Sequence, residues 1–423
     1  MTTLAARRLW RPLLAVVTVV WVMAMAAPPA NAQWTEEYWF GKLDVKKTWT
    51  VTKGAGVTVA VIDSGVVDTV GDLKGQVLPG ADFSGRHSDG RSDSGDECDR
   101  LGCYGHGTDM SLVIAGTGAG AGFQGVAPAV KILPIKVSAR TGDEASADAV
   151  ARGIRWAVDH GARVVNVSLG HVGSCDSLEG PAVKYAYDHD VIVVAGAGND
   201  GAAAVGSPAN CPGALAVSAS NGGPEHGAIS IWSKSNYGPE IAFTGIGVDM
   251  PQELLSGVKV LHANGTSQAT AMTSASLALI RAHFPSMSAQ EVVARAIWSV
   301  HNGAGVGVIG HRINNKIGYG EILPYYAVTG DVPANFQNPI YDGWAKAFAA
   351  DSPSSGAASA TTSHAPTLPN KGQAPSPVRN ADSGGSSNGA LIGGVVAAAI
   401  LLIIVIAAVL YFRRRGNRQI PAR

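Results

Sequence analysis

The strongest constraint on the fold is a series of short, largely apolar runs rich in β-branched residues, separated by stretches with helical periodicity. Such runs lie at residues 57–62, 131–137, 163–168 and 191–194. Nearly continuous apolar runs of this length are typical of parallel strands that are buried on both faces. The stretches between them predict helices, so the alternation indicates an α/β fold with a mostly parallel central sheet covered by helices on both faces.

Three polar residues stand where these elements begin or end. Asp63 directly follows the first run, in the sequence Asp-Ser-Gly. His106 lies in Gly-His-Gly-Thr and Ser267 lies in Asn-Gly-Thr-Ser, and each precedes small and apolar residues that predict a helix. Ligands of open α/β sheets bind outside the carboxyl ends of the strands. We therefore expect the three side chains to converge on one edge of the sheet.

An acid, a base and a hydroxyl in this order suit hydrolysis by a nucleophilic serine. The hydroxyl needs an imidazole to accept its proton, and the imidazole needs a carboxylate to fix its tautomer. Asn199 follows the run at 191–194. Its side-chain amide and the backbone N–H of Ser267 would be the two donors to an oxyanion. Taken alone, Asn199 before Gly201 would be assigned to a turn.

These motifs resemble those of the subtilases, the subtilisin-like serine peptidases, whose catalytic residues follow the order Asp, His, Ser. The resemblance extends over residues 39–327. It implies a subtilisin-like three-layer fold and a catalytic triad of Asp63, His106 and Ser267. It also implies that Asn199 completes the oxyanion hole. The remaining alternative is an inactive scaffold of the same fold that is used for binding.

The resemblance further implies two substrate-binding segments, one that pairs with an extended substrate and one that forms a wall of the pocket for the residue before the cut. Their residues are Ser168, Leu169, Gly170, Ala195, Gly196, Ala197 and Gly198. Ala271 departs from the family pattern, because many subtilases have Pro four residues after the nucleophile. Alanine is a good helix former, so this departure leaves the chemistry unchanged.

Both ends of the chain have the features of an exported and anchored protein. Residues 1–32 combine a basic start, an apolar stretch and a small-residue cleavage site, which predicts a signal peptide; the alternative is an N-terminal membrane anchor. Residues 33–348 form the predicted peptidase domain with a short N-terminal extension, and residues 349–389 a disordered linker of Ser, Pro, Ala and Gly. The uncharged stretch 390–412 is long enough for a transmembrane helix. The basic residues 413–423 then predict a cytoplasmic tail and an extracellular catalytic domain.

This order of segments resembles the mycosins, membrane-anchored subtilases associated with type VII secretion in actinobacteria. The resemblance implies a serine endopeptidase that acts on secreted or cell-surface proteins, with the type VII secretion machinery as a partner. The alternative is a structural or stabilising component of a secretion complex whose peptidase activity is dispensable. The 32 basic and 32 acidic residues give no net charge, which argues against nucleic acid as a partner.

Four cysteines in an exported protein predict disulfides, and three pairings are possible. We favour Cys98 with Cys103, which closes a short loop before His106, and Cys175 with Cys211, which ties two loops beside the substrate pocket. Carboxylates between residues 89 and 99 crowd one loop, but their spacing fits no dedicated calcium loop. We therefore predict no metal or cofactor, with calcium as the alternative for this loop.

Overall fold

The computed structural model describes residues 38–92, 105–138, 145–175, 177–222, 228–253, 259–301, 312–333 and 335–351. The predicted signal peptide, transmembrane helix, cytoplasmic tail and Cys98–Cys103 disulfide lie outside these residues, as does nearly all of the predicted linker. Within the described ranges, no helix has both the length and the apolar character needed to cross a membrane.

A seven-stranded sheet forms the centre of the domain, in the order β2-β3-β1-β4-β5-β6-β7. Every neighbouring pair in it is parallel. The predicted α/β fold with a mostly parallel sheet is confirmed. The strands are β1 (Thr58–Asp63), β2 (Ala81–Asp82), β3 (Lys131–Lys136), β4 (Val164–Val167), β5 (Ile192–Gly196), β6 (Ala214–Ser220) and β7 (Ile241–Ile246).

Helices cover both faces of the sheet, because successive side chains of a strand point to opposite faces. On one face, Val59 and Val61 of β1 belong to the same core cluster as α3 and α6. On the other face, Ala60 and Ile62 pack with α4 and α5. These helices are α3 (His106–Ala115), α4 (Ala147–Asp159), α5 (Glu179–Asp188) and α6 (Thr266–His283).

Smaller elements complete the domain. They are α1 (Tyr38–Lys42), α2 (Val45–Trp49), β8 (Met250–Glu253), β9 (Lys259–Ala263), α7 (Ala289–Trp298), β10 (Val300–His301), β11 (Glu321–Ile322), α8 (Pro324–Thr329) and α9 (Pro339–Asp351). Helix α9 ends three residues past the predicted domain boundary at 348. Its aromatic residues pack on the domain, where the rings of Tyr341 and Phe348 both lie about 5 Å from that of Tyr187. Ser288 and Glu291 form a capping box at the start of α7.

The N-terminal extension packs closely onto the domain. Trp39 is buried, and the indole N–H of Trp49 donates to the backbone carbonyl of Val126 at 2.9 Å. Lys42 Nζ lies 3.1 Å from Glu321 Oε2, and both side chains are 1% exposed. Because a buried ammonium needs its counter-charge, this pair joins α1 to β11.

The strand order creates room for a site at one edge of the sheet. Strand β1 lies between β3 and β4, so the chain crosses from one side of β1 to the other after β3. At such a reversal the loops that follow neighbouring strands diverge, and a crevice opens at the carboxyl ends. The carboxyl ends of β1, β4 and β5 meet at this edge, and Asp63, Ser168 and Asn199 lie on or directly after them.

Helix α6 brings Ser267 to the same edge. The helix runs through the middle of the domain, and all of its residues from Thr266 to Arg281 are buried. Its sequence is rich in Ala, Ser and Thr, whose small side chains let it lie close against the sheet. Ala271 is fully buried within it. The nucleophile candidate is thus the second residue of a helix that is held along its length.

Candidate active site

Asp63 and His106 form a hydrogen-bonded pair at the end of β1. His106 Nδ1 lies 2.8 Å from Asp63 Oδ1 and 2.9 Å from Oδ2. The Asp63 side chain is only 3% exposed, and its Oδ1 also accepts from the Ser64 backbone N–H at 2.8 Å. The carboxylate is therefore held in place, and it directs the other ring nitrogen, Nε2, away from the strand.

Gly107 allows the start of α3 to lie close against the end of β1. A Cβ at this position would lie 2.2 Å from the carbonyl oxygen of Gly65 and 3.0 Å from the Cβ of Asp63. Its backbone N–H donates to Ser64 Oγ at 3.1 Å. Only glycine lets the start of the helix approach β1 so closely, and this approach sets the distance between His106 and Asp63.

Ser267 lies across the same cleft, with 8% of its surface exposed. Its hydroxyl donates to the Ser168 carbonyl oxygen at 2.9 Å, while the Ser168 hydroxyl donates to the Ser267 carbonyl oxygen at 3.0 Å. This reciprocal pair ties the loop after β4 to the first turn of α6. Hydrogen bonds of catalytic groups are often long or poorly aligned without substrate and tighten when it binds.

A buried polar chain behind Ser267 was missed by the sequence reasoning. Asn166 on β4 donates from Nδ2 to Ser168 Oγ at 2.9 Å and accepts from Ser274 Oγ at 3.0 Å. Asn166 and Ser274 are fully buried. The chain joins β4 to the third turn of α6, and it orients the Ser168 hydroxyl that bonds to Ser267. An asparagine inside an apolar strand run is the one sequence signal that could have indicated it.

Asn199 lies beside the first turn of α6. Its Oδ1 accepts from the backbone N–H of Thr266 at 2.9 Å and from Thr266 Oγ1 at 3.0 Å. Because Oδ1 is occupied by these donors, Nδ2 is the end of the amide that remains to donate on the cleft side. The backbone N–H of Ser267 lies in the first helical turn, where no intrahelical acceptor exists. Thr266 was not among the predicted site residues.

The cleft encloses about 910 Å³ and is lined by all four of these groups, Asp63, His106, Asn199 and Ser267. Six of the seven predicted substrate-binding residues also line it: Ser168, Leu169, Gly170, Gly196, Ala197 and Gly198. Ala195 does not, because its side chain packs into the core with α4 and α5. Most of the other lining residues are small, and none of the described ones is Lys or Arg.

The structure also bears on the predicted disulfides and metal. Cys175 and Cys211 are joined by a disulfide across a sequence separation of 36 residues. Within the described ranges, no group of three or more His, Cys, Asp or Glu side chains is arranged to hold a metal ion. Asp89, the described member of the acidic loop, is paired with Arg91, whose Nε donates to it at 2.8 Å. This hydrogen bond is the largest influence on the Asp89 carboxyl and lowers its pKa.

Comparison with known proteins gives consistent matches. The model of the subtilase family of S8 peptidases matches residues 54–320. A thermophilic serine proteinase of Bacillus sp. is 33% identical over 254 residues, which is 57% of this chain and 58% of that protein. Mycosin-3 of Mycobacterium tuberculosis is 30% identical over 351 residues, which is 69% of this chain and 71% of mycosin-3. The chain thus spans little more than half of the first relative's length.

Two solved structures are similar over most of their own length. The MycP3 protease from the type VII (ESX-3) secretion system has 28% identity and a TM-score of 0.55, and covers 70% of this chain and 88% of that one. MycP1 with its N-terminal propeptide removed has 26% identity and a TM-score of 0.56, and covers 70% of this chain and 98% of that one.

Proposed function

Because the chain belongs to the subtilase family, the subtilisin-like serine peptidases, we propose that it is a serine endopeptidase that cleaves secreted or cell-surface proteins. The observation that carries the proposal is the 2.8 Å hydrogen bond between His106 and the buried Asp63, which lines the same cleft as Ser267 at a helix N-terminus. In the proposed reaction His106 Nε2 accepts the proton of Ser267 Oγ, and Oγ attacks the peptide carbonyl carbon. Asp63 stabilises the imidazolium that forms.

The tetrahedral intermediate carries its negative charge on the former carbonyl oxygen. Asn199 Nδ2 and the Ser267 backbone N–H are placed to donate to it, which lowers the barrier because the donors are already oriented. His106 then gives its proton to the leaving amine, and an acyl-enzyme remains on Ser267. A water molecule, deprotonated by His106, hydrolyses this ester and restores the free hydroxyl.

The test is covalent labelling of the full-length, membrane-embedded protein with a fluorophosphonate, together with cleavage of a peptide substrate. Ser267→Ala is expected to abolish labelling and to lower kcat by several orders of magnitude. Ser276→Ala is the matched control, because Ser276 lies on the same helix and its hydroxyl donates within that helix, to the Met272 carbonyl at 2.9 Å. Labelling that survives in Ser267→Ala, or that is absent from the unmodified protein, would overturn the proposal.

We also infer an association with type VII secretion. The support is the similarity to mycosin-3 and to the MycP3 protease from the ESX-3 secretion system, and the predicted anchor at 390–412. In this proposal the domain acts outside the cell, held by one transmembrane helix, on proteins that are being secreted. We expect the protein to co-purify with other membrane components of the secretion machinery. If it fractionates separately from those components, the inferred association is contradicted.

One variant distinguishes proteolysis from the alternative role, which is to stabilise such a machinery without cleavage. If Ser267→Ala abolishes peptide cleavage but leaves secretion unchanged, the structural role is the main one. If secretion or substrate processing fails with the domain still folded and membrane-bound, proteolysis is required. N-terminal profiling of the secreted proteins with and without Ser267 identifies the substrates in the second case.

A further inference from the structure

Three backbone segments enclose the pocket beside Ser267. Residues 168–171 and 196–198 both line the cleft, and we call these two segments its walls. The segment 205–207 connects them, because Gly206 N–H donates to the Ala197 carbonyl at 3.1 Å, and His171 and Ser207 exchange both of their backbone hydrogen bonds at 3.0 Å. The pocket width therefore depends on how 205–207 is held against the two walls.

Glu179 lies behind this segment, at the start of α5. It is fully buried, and one of its oxygens, Oε2, accepts from both Ser207 Oγ and His171 Nε2, the latter at 3.1 Å. A single carboxylate oxygen thus joins the side chains of the two residues that already pair through their backbones. The helix N-terminus favours a carboxylate at this position.

Some of these residues line the cleft, and others support it from behind. His171 and Gly206 line the cleft, whereas Glu179 and Ser207 do not. Two further links hold this part of the cleft. Asn210 Nδ2 donates to the carbonyls of Gly173 at 2.7 Å and Val205 at 2.9 Å. The disulfide between Cys175 and Cys211 follows directly, at the residue after Asn210. Of these links, only the Glu179 carboxylate acts on both members of the His171–Ser207 pair.

We propose that Glu179 is a positioning residue for substrate recognition, which sets the width of the pocket for the side chain that precedes the scissile bond. The inference rests on the proposed peptidase function. Glu179 does not touch the reacting atoms, so its loss changes KM and the preference among side chains more than it changes kcat. Burying a carboxylate is unfavourable unless it is well paired, and Ser207 and His171, which pair with Glu179, belong to the segments around the pocket.

The experiment compares Glu179→Gln with a matched control, Glu321→Gln, in the full-length protein. Glu321 is also buried and accepts from a serine hydroxyl, Ser220 Oγ at 2.6 Å, beside the cation Lys42. It does not line the cleft. Each variant is assayed with tetrapeptide p-nitroanilides that differ only in the final residue (Ala, Leu or Phe), with a fluorophosphonate, and by thermal unfolding.

Glu179→Gln is expected to raise KM by about tenfold, the effect of losing a hydrogen bond to a charged group. The increase in KM should differ between the Ala and Phe substrates. The rate of fluorophosphonate labelling should fall by a smaller factor than the factor by which KM rises. Ser207→Ala, which removes one of the two donors, should change the preference among substrates in the same direction. Glu321→Gln should lower the unfolding temperature with the wild-type preference retained.

Two results would overturn the inference, and they are distinguishable. If Glu179→Gln lowers the unfolding temperature as Glu321→Gln does but keeps the wild-type KM and preference, Glu179 has only a structural role. If the unmodified protein neither reacts with the fluorophosphonate nor cleaves any of the three peptides, the proposed peptidase function itself fails, and the recognition role fails with it.

Discussion

The proposed oxyanion hole makes the sharpest prediction, because Asn199 has two functions that different substitutions separate. Its Oδ1 accepts two hydrogen bonds from Thr266, at 2.9 and 3.0 Å, while Nδ2 is left to donate to the oxyanion. Asn199→Asp keeps an acceptor for Thr266 and loses the donor. Asn199→Ala loses both, so it also leaves the Thr266 backbone N–H without its acceptor.

Both variants are expected to lower kcat by about 10²- to 10³-fold, or about 2.7–4 kcal/mol of transition-state stabilisation, with KM nearly unchanged. Asn199→Asp should lose at least as much kcat as Asn199→Ala, because its negative charge would face the developing oxyanion. For stability we expect the opposite order, with Asn199→Ala less stable than Asn199→Asp. Asn199→Ala should lower the free energy of unfolding by about 1–3 kcal/mol, the cost of an unpaired buried donor.

The assay is steady-state hydrolysis of a peptide p-nitroanilide by full-length protein, with urea unfolding followed in parallel. Thr266→Val serves as the control, because it removes the Thr266 hydroxyl but keeps the backbone N–H that orients Asn199. We expect its kcat to fall only about 3- to 10-fold, the effect of losing the one neutral hydrogen bond to Asn199. The same hydroxyl also accepts from the Gly198 backbone N–H at 3.3 Å, so the variant is expected to lose stability as well. Wild-type kcat in a stably folded Asn199→Asp variant would refute the assignment of Asn199 to the oxyanion hole.

Two further predictions concern stability. Replacing both Cys175 and Cys211 by Ser opens a link with a sequence separation of 36 residues, and chain entropy predicts a loss of about 4 kcal/mol in unfolding free energy, measured by urea titration. A change below about 1 kcal/mol would contradict this. For Asp82, burial is the largest single influence and raises its pKa, but four hydrogen bonds from Ser84 and Ser88 outweigh it and lower the pKa below 3.8. A group with a lowered folded-state pKa stabilises the fold above its unfolded pKa, and this contribution is lost as pH falls through the folded value. Replacing both serines by Ala should therefore reduce stability at pH 7, with the difference from wild type narrowing below pH 3.8; a difference that is constant with pH would contradict the prediction.

Much of the site was predictable because its elements follow local rules. The apolar run before Asp63 forms a strand through its own pattern, and the glycine-flanked His106 and Ser267 begin helices for local reasons. Parallel strands then bring their carboxyl ends to one edge. Ala195, also predicted to bind substrate, lies on β5 and packs in the core, and it does not line the cleft.

What the sequence alone determined was the class of fold, the edge of the sheet that carries the site, and the residue types able to perform hydrolysis. What only the tertiary structure decided is how those residues are held. The Thr266 contact to Asn199 spans 67 residues of sequence, and that of Glu179 to Ser207 spans 28. No local pattern encodes such contacts, because they depend on the packing and relative register of segments that meet only after the sheet and α6 have assembled.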